Sequence, residues 1–108
     1  MSIWQSRPVD EVPEVVLVNW RVMETGDGGR HLVGIRPDRG TGRVSSVIVE
    51  LNMAARVGTT RSGRRYVLDG APGPDEDGNA DYVWAGWCQA NHVTGYRDVT
   101  GELLAHGL

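Results

Sequence analysis

The stretch that decides the fold is Arg43 to Gly70, RVSSVIVELNMAARVGTTRSGRRYVLDG. Two runs rich in β-branched residues, Val44 to Leu51 and Val57 to Leu68, are divided by turn-forming residues, and Ser62-Gly63 splits the second run. The pattern predicts a three-stranded meander. Its last turn carries Arg61, Arg64 and Arg65, so a tight hairpin is expected to lift three guanidinium groups into solvent.

Outward from this stretch, towards the N-terminus, Glu14 to Glu24 alternates: Val16, Val18, Trp20 and Val22 fall on one side, Asn19 and Arg21 on the other. That predicts a first strand. Thr25 to Gly29 contains three glycines and lets the chain fold back into a second strand, Arg30 to Arg36, with His31, Val33 and Ile35 on one face. Pro37-Asp38-Arg39-Gly40 has the chemistry of a type I turn. The run from Val44 is apolar on both faces, which predicts a central strand covered on two sides. After a turn at Asn52 to Ala54, strands are expected at about Ala55 to Thr60 and Arg64 to Asp69, with Gly58 marking a bulge. The fold expected is α+β: a curved five-stranded antiparallel sheet or open SH3-like barrel with one C-terminal amphipathic helix.

Gly70 to Asn79, GAPGPDEDGN, reads as a mobile loop. Asn79 then serves as N-cap of a helix whose buried stripe is Ala80, Val83, Trp84, Trp87, Cys88 and Asn91, ending near Asn91 or His92. For the tail, YRDVTGELLAHGL, a short strand and a helical turn after Thr100 both remain open. Residues 1–13, with two prolines, read as an N-terminal arm ordered only where Ile3 and Trp4 dock, and residues 14–108 as a single domain.

At 108 residues the chain is sized for one core, and its 15 glycines fit many turns better than a helical bundle. Phenylalanine is absent, so four tryptophans and three tyrosines must supply the aromatic packing. A single cysteine, Cys88, excludes an internal disulfide framework, and no apolar run approaches 18 residues. The expected setting is cytoplasmic, with no membrane association.

The net charge of −3 conceals a segregation. Residues 1–29 hold two arginines against five acids, residues 30–65 eight against two, and residues 66–108 one against seven. The basic middle third suits phosphate, but the flanking acids suit internal pairing, and pairing or a merely solvated face is the reading favoured.

Candidate binding residues follow from this. Arg61, Arg64 and Arg65, joined by Arg43 and Arg56 from neighbouring strands and by Tyr66 as a stacking companion, could grip a nucleic-acid backbone or an acidic partner. The same arginines could simply keep a sheet edge from pairing with other chains. A second surface is the outer side of the helix, Tyr82, Ala85, Gly86 and Gln89, with packing against the N-terminal arm as the alternative.

No catalytic residues, metal site or cofactor are expected. Cys88 and His92 stand at i and i+4, but zinc needs three or four ligands, and neither His31 nor His106 has a partner spacing. Asp75, Glu76 and Asp77 lack the alternation of a calcium loop, and Gly26 to Gly29 lacks the lysine and the motif of a phosphate cradle.

The segments RVSSVIVELN, TRSGRRYVLDGAPG and ADYVWAGW resemble those of small uncharacterised proteobacterial proteins, some in phage-derived or plasmid regions. The resemblance covers Arg43 to Trp87 and carries no catalytic residue. It implies a mobile-element accessory protein, a group that includes non-enzymatic inhibitors of host defence and small regulators. The expected function is binding without catalysis: a protein-interaction module, for instance an inhibitor of a host nucleic-acid-handling complex. The alternative is a small nucleic-acid-binding module built on the arginine-rich hairpin. Oligomeric state is open.

Overall fold

The structure, a computed structural model, describes residues 13–105. Apart from Pro13, the expected N-terminal arm lies outside the described residues, as does His106. The described chain is a small α+β domain built on a mostly open, mixed sheet. Its strands are β1 (Glu14–Thr25), β2 (Arg30–Arg36), β3 (Thr41–Val44), β4 (Ile48–Asn52), β5 (Val57–Thr60), β6 (Arg65–Leu68) and β7 (Tyr96–Asp98). Its helices are α1 (Asn79–Ala90) and α2 (Thr100–Ala105). Six strands follow the order β3-β2-β1-β6-β5-β4, and β7 pairs with β1.

The expected five antiparallel strands are corrected in number and in direction. There are seven among the described residues, and β1 runs parallel to β6 through Val15↔Tyr66 and Leu17↔Leu68. The physical reason is the length of β1. At 12 residues its first half pairs with β6 while its second half pairs with β7, through Met23↔Asp98 and Thr25↔Tyr96.

β1 is also bent. Val15 and Leu17 are buried in its first half, Trp20 and Val22 in its second, so the inward phase slips by one residue. Pairing with β2 slips at the same place, between Val18 and Arg21, where Asn19 adopts a φ of 48°. Asparagine tolerates that left-handed backbone better than most side chains, and a bulge of this kind bends the strand and adds twist. The expected inward set Val16, Val18, Trp20 and Val22 therefore holds only beyond the bulge; Val16 is 38% exposed.

The bend lets the sheet curl until strands that are not neighbours meet. Arg43 on β3 bonds Tyr66 on β6, and a Cβ at Gly58 on β5 would stand 3.1 Å from Leu32 of β2. Gly58 thus marks a close approach rather than the expected bulge; the register slip between β4 and β5 falls between Ile48 and Glu50. Inside the curl Leu17, Trp20, Leu32, Met53, Tyr66 and Leu68 form one cluster. On the outer face Met23 and Val33 pack beneath Ala80, Trp84 and Cys88 of α1.

The strands with apolar contacts on both faces are therefore β1 and β2, not the run from Val44 to Leu51. That run breaks at Ser45, and its two pieces, β3 and β4, end the sheet path on opposite sides. Ser45 explains the break. Its amide still donates to the Leu32 carbonyl at 2.8 Å, but the Leu32 amide is met by the Ser45 hydroxyl at 2.8 Å. The Ser45 carbonyl has turned away to His31 Nδ1, 2.9 Å distant. A hydroxyl that replaces a carbonyl in the ladder lets the chain leave the sheet without orphaning a buried amide.

α1 sits across β3 where Gly42 leaves space, and a Cβ there would come within 2.6 Å of the Asn79 carbonyl oxygen. Its N-terminus is capped, but not by Asn79. Gly78 is the N-cap residue, with φ of 70° and no side chain to offer. Asp75 reaches forward instead, accepting from the amides of Asn79 at 2.9 Å and Ala80 at 3.1 Å. Arg21 on β1 then pairs with Asp81 in the first turn. The loop before α1 is anchored: Trp20 Nε1 donates to the Gly70 carbonyl at 3.0 Å, and the Gly73 amide donates to the Trp20 carbonyl at 3.2 Å.

Both alternatives for the tail occur, as β7 and then α2. Thr100 joins them to the core by accepting the buried Val22 amide on its hydroxyl at 2.8 Å. Among the described residues no helix is long and apolar enough to cross a membrane.

Candidate interaction surface

The hairpin between β5 and β6 forms as expected. Gly63, at φ 86°, makes the turn, and its amide donates to Thr60 at 2.8 Å. Hydroxyls brace the tip: Thr60 and Ser62 lie 3.1 Å apart, Ser46 donates to Ser62 at 3.3 Å, and the Arg61 amide donates to the Val47 carbonyl at 2.8 Å. The tip is thus tied to the chain segment between β3 and β4.

The three arginines do not all reach solvent. Arg61 and Arg65 are exposed, whereas Arg64 is only 4% exposed. Side chains two apart on a strand share a face. Arg64, Tyr66 and Leu68 are buried together, while Arg65 turns outward and pairs with Glu14 at 3.4 Å. Tyr66, expected as a stacking companion, is 1% exposed and presents no ring face to a base.

Arg43 and Arg56 serve the fold. Arg43 Nε donates to the Tyr66 hydroxyl at 3.0 Å with its guanidinium 5.8 Å from the ring centre. Arg56 donates to the Met53 carbonyl and lies 5.8 Å from the Trp20 ring. Each places a cation over a ring of the inner core. Arg56 and Arg61 flank β5 at opposite ends, separated along the strand by about 17 Å, so the five arginines do not form one surface.

The remaining arginines of the basic third each have a carboxylate neighbour, two of them sharing one acid. Arg30 pairs with Glu24 at 2.9 Å, and Arg36 and Arg39 flank Asp38 at 3.1 and 4.0 Å. Glu24 also meets Arg97, which in turn meets Glu102 at 2.7 Å. The Arg30 hydrogen bond, with Arg97 beside it, holds the Glu24 carboxyl below its ordinary value against a smaller opposing effect of burial.

On α1, Tyr82 is 81% exposed, with Ala85 and Gln89 exposed and Gly86 half-buried. The inward stripe is as expected except for Asn91, which is exposed. In the acidic loop Glu76 and Asp77 are exposed, while Asp75 is committed to the helix cap. Burial alone would push the Asp75 carboxyl up, but the Asn79 and Ala80 amides outweigh it and hold it low.

Sequence reasoning placed Trp84 and Trp87 on the buried stripe but missed the aromatic cluster that His31 and Tyr96 complete beneath α1. The Trp84 and Trp87 rings stack at 5.1 Å and 11°, His31 lies 4.5 Å from Trp87, and Tyr96 meets Trp84 edge-on at 5.2 Å. The i, i+3 spacing of the two tryptophans was the available signal; His31 and Tyr96 arrive through strand pairing, which the sequence does not display. Cys88 is buried, and burial pushes its thiol up, away from the nucleophilic thiolate. His92 lies past the end of α1 with φ of 57° and is exposed. Among the described residues no three metal-ligating side chains converge.

Comparison of the chain with protein-family models, curated proteins and solved structures finds no match.

Proposed function

We propose that the chain is a non-enzymatic protein-interaction module that meets its partner through Tyr82 on α1 and Arg61 at the β5–β6 tip. One observation carries this reading over nucleic-acid binding: most arginines of the basic third already serve the fold or face an acid of the chain. Arg43 and Arg56 cover core aromatics, Arg64 is buried, and Arg30, Arg36, Arg39 and Arg65 have carboxylate neighbours. A phosphodiester backbone is held by several unneutralised cations in a row. An exposed tyrosine beside small residues is instead the usual anchor of a protein contact. The partner we propose is a component of a host nucleic-acid-handling complex.

The test compares the chain with its Tyr82→Ala and Arg61→Glu variants in capture from the native host. A single stoichiometric partner, lost about thirtyfold in affinity with Tyr82→Ala, is the expected result. Salt-sensitive binding of single- or double-stranded DNA or RNA, abolished in an Arg61→Ala, Arg65→Ala double variant, overturns the proposal in favour of the nucleic-acid reading.

A further inference from the structure

We propose that the β2–β3 hairpin, at one end of the strand path, is a separate site: a guanidinium cradle for a carboxylate of an acidic peptide segment. Arg36, Arg39 and Arg43 form it. Arg36 pairs with Thr41 and Gly34 with Arg43 across the two strands. Arg36, Thr41 and Arg43 therefore share the face opposite the one on which α1 rests at Gly42. The Cβ atoms of Arg36 and Arg43, diagonal neighbours, stand roughly 7–8 Å apart, within reach of long side chains.

Three observations converge on this hairpin. Arg43 is held in advance by its Nε bond to the Tyr66 hydroxyl, 3.0 Å long, and by the ring beneath it. Its two amino nitrogens, the fork that matches a carboxylate, have no acid within ion-pair distance among the described residues. A guanidinium fixed before the ligand arrives loses less freedom on binding.

Arg36 supplies the second observation. Its Nη2 donates to Asp38 at 3.1 Å, yet its Nε is buried with no acceptor. A buried donor without a partner is costly, and a small shift of the hairpin that admits a ligand oxygen to it would relieve that cost.

The third is Asp38 itself, which lies against Arg36 and, at 4.0 Å, Arg39. The chain's own carboxylate shows which class of group these arginines accept. Three arginines against one acid leave the hairpin with two positive charges over. The site lacks what a nucleic acid would add, since the neighbouring ring, Tyr66, is covered by the fold.

The site shares no residue with Tyr82 or Arg61, so the proposed function can fail while this inference stands. The test titrates hexaglutamate, inorganic phosphate and oligothymidylate separately into the isotope-labelled full chain and follows the arginine Nε–H and backbone amide resonances. Hexaglutamate is expected to give saturable shifts at Arg36, Arg39 and Arg43. Affinity should fall roughly tenfold in Arg43→Lys, which keeps the charge and removes the fork, and in exposed Arg39→Gln, which leaves the Tyr66 contact intact. Arg97→Gln, whose guanidinium already meets Glu24 and Glu102, should change it less than twofold. Absence of saturable shifts at the hairpin, an equal loss with Arg97→Gln, or equal binding of phosphate or oligothymidylate at the same residues overturns the proposal.

Discussion

Replacing Gly42 by alanine tests how α1 is seated on the sheet, and the sign of the effect is decisive. A Cβ at that position would stand 2.6 Å from the Asn79 carbonyl oxygen, 2.8 Å from Val83 Cγ2 and 3.0 Å from the Asn79 carbonyl carbon. The nearest of these is helix backbone, which cannot rotate aside. To restore even a tight 3.4 Å contact the first turn of α1 must retreat by 0.8 Å. Forcing extra atoms into a packed contact typically costs about 1–3 kcal/mol. Without the helix overhead, the same change in a strand would stabilise by roughly 0.5–1 kcal/mol through the lost freedom of glycine in the unfolded chain. The expected net loss of about 1–2 kcal/mol lowers Tm by roughly 5–15 °C for a domain of this size. Thermal unfolding followed by far-ultraviolet circular dichroism measures it, with tryptophan emission reporting on Trp84 and Trp87 beneath α1. Gly101→Ala in α2 is the matched control: nothing lies within 4 Å of its added Cβ, so it should stabilise by up to about 1 kcal/mol. A Gly42→Ala chain as stable as the parent, or more so, would refute the placement of α1.

Asp75→Ala should cost about 1–2 kcal/mol at neutral pH by leaving two helix amides uncapped. Because the folded-state Asp75 carboxyl titrates below its unfolded value, its contribution is complete above the unfolded value and is lost as pH falls through the folded one; urea titrations of both chains should converge in acid below both. Thr100→Val leaves the buried Val22 amide without its 2.8 Å acceptor and should lower stability by about 1–3 kcal/mol in the same assay. The buried Cys88 thiol should react with a disulfide reagent at pH 8 far more slowly than a free thiol and reach the free rate on unfolding in urea.

Turns and the helix were the legible parts. Pro37 to Gly40 links β2 to β3, Ser62-Gly63 links β5 to β6, and Ala80, Trp84 and Cys88 form the buried line of α1. Each rests on chemistry local to the chain. What escaped was of two kinds. The Asn19 bulge shifts the phase of a strand by one residue and the Ser45 break leaves three residues between β3 and β4, and an alternation count carries straight through both. The β1–β6 pairing and the Asp75 cap depend on where distant backbone comes to lie. Burial of Arg64 and Tyr66 was different, because counting back in twos from Leu68 would have placed both inside; the density of arginine in RSGRR drew attention to charge and away from parity.

The charge segregation along the chain dissolves in space, and the strand responsible is β1. Glu14 and Glu24 belong to the acidic first third, yet both lie on β1 and face Arg65 and Arg30 of the basic middle third; Arg21, also on β1, reaches Asp81 of the acidic last third. A strand in the middle of the sheet path thus mixes the three segments. Such exposed pairs contribute little to stability, about 0–1 kcal/mol each, so their main consequence is selection. They determine which cations a partner still meets. By that criterion, among the described residues, the arginines outside the ion pairs and not fully buried are Arg61 at one hairpin tip, Arg43 on another hairpin and Arg56 just before β5. A binding surface on this protein is therefore set by what the pairing leaves over, not by the net charge of the segment that carries it.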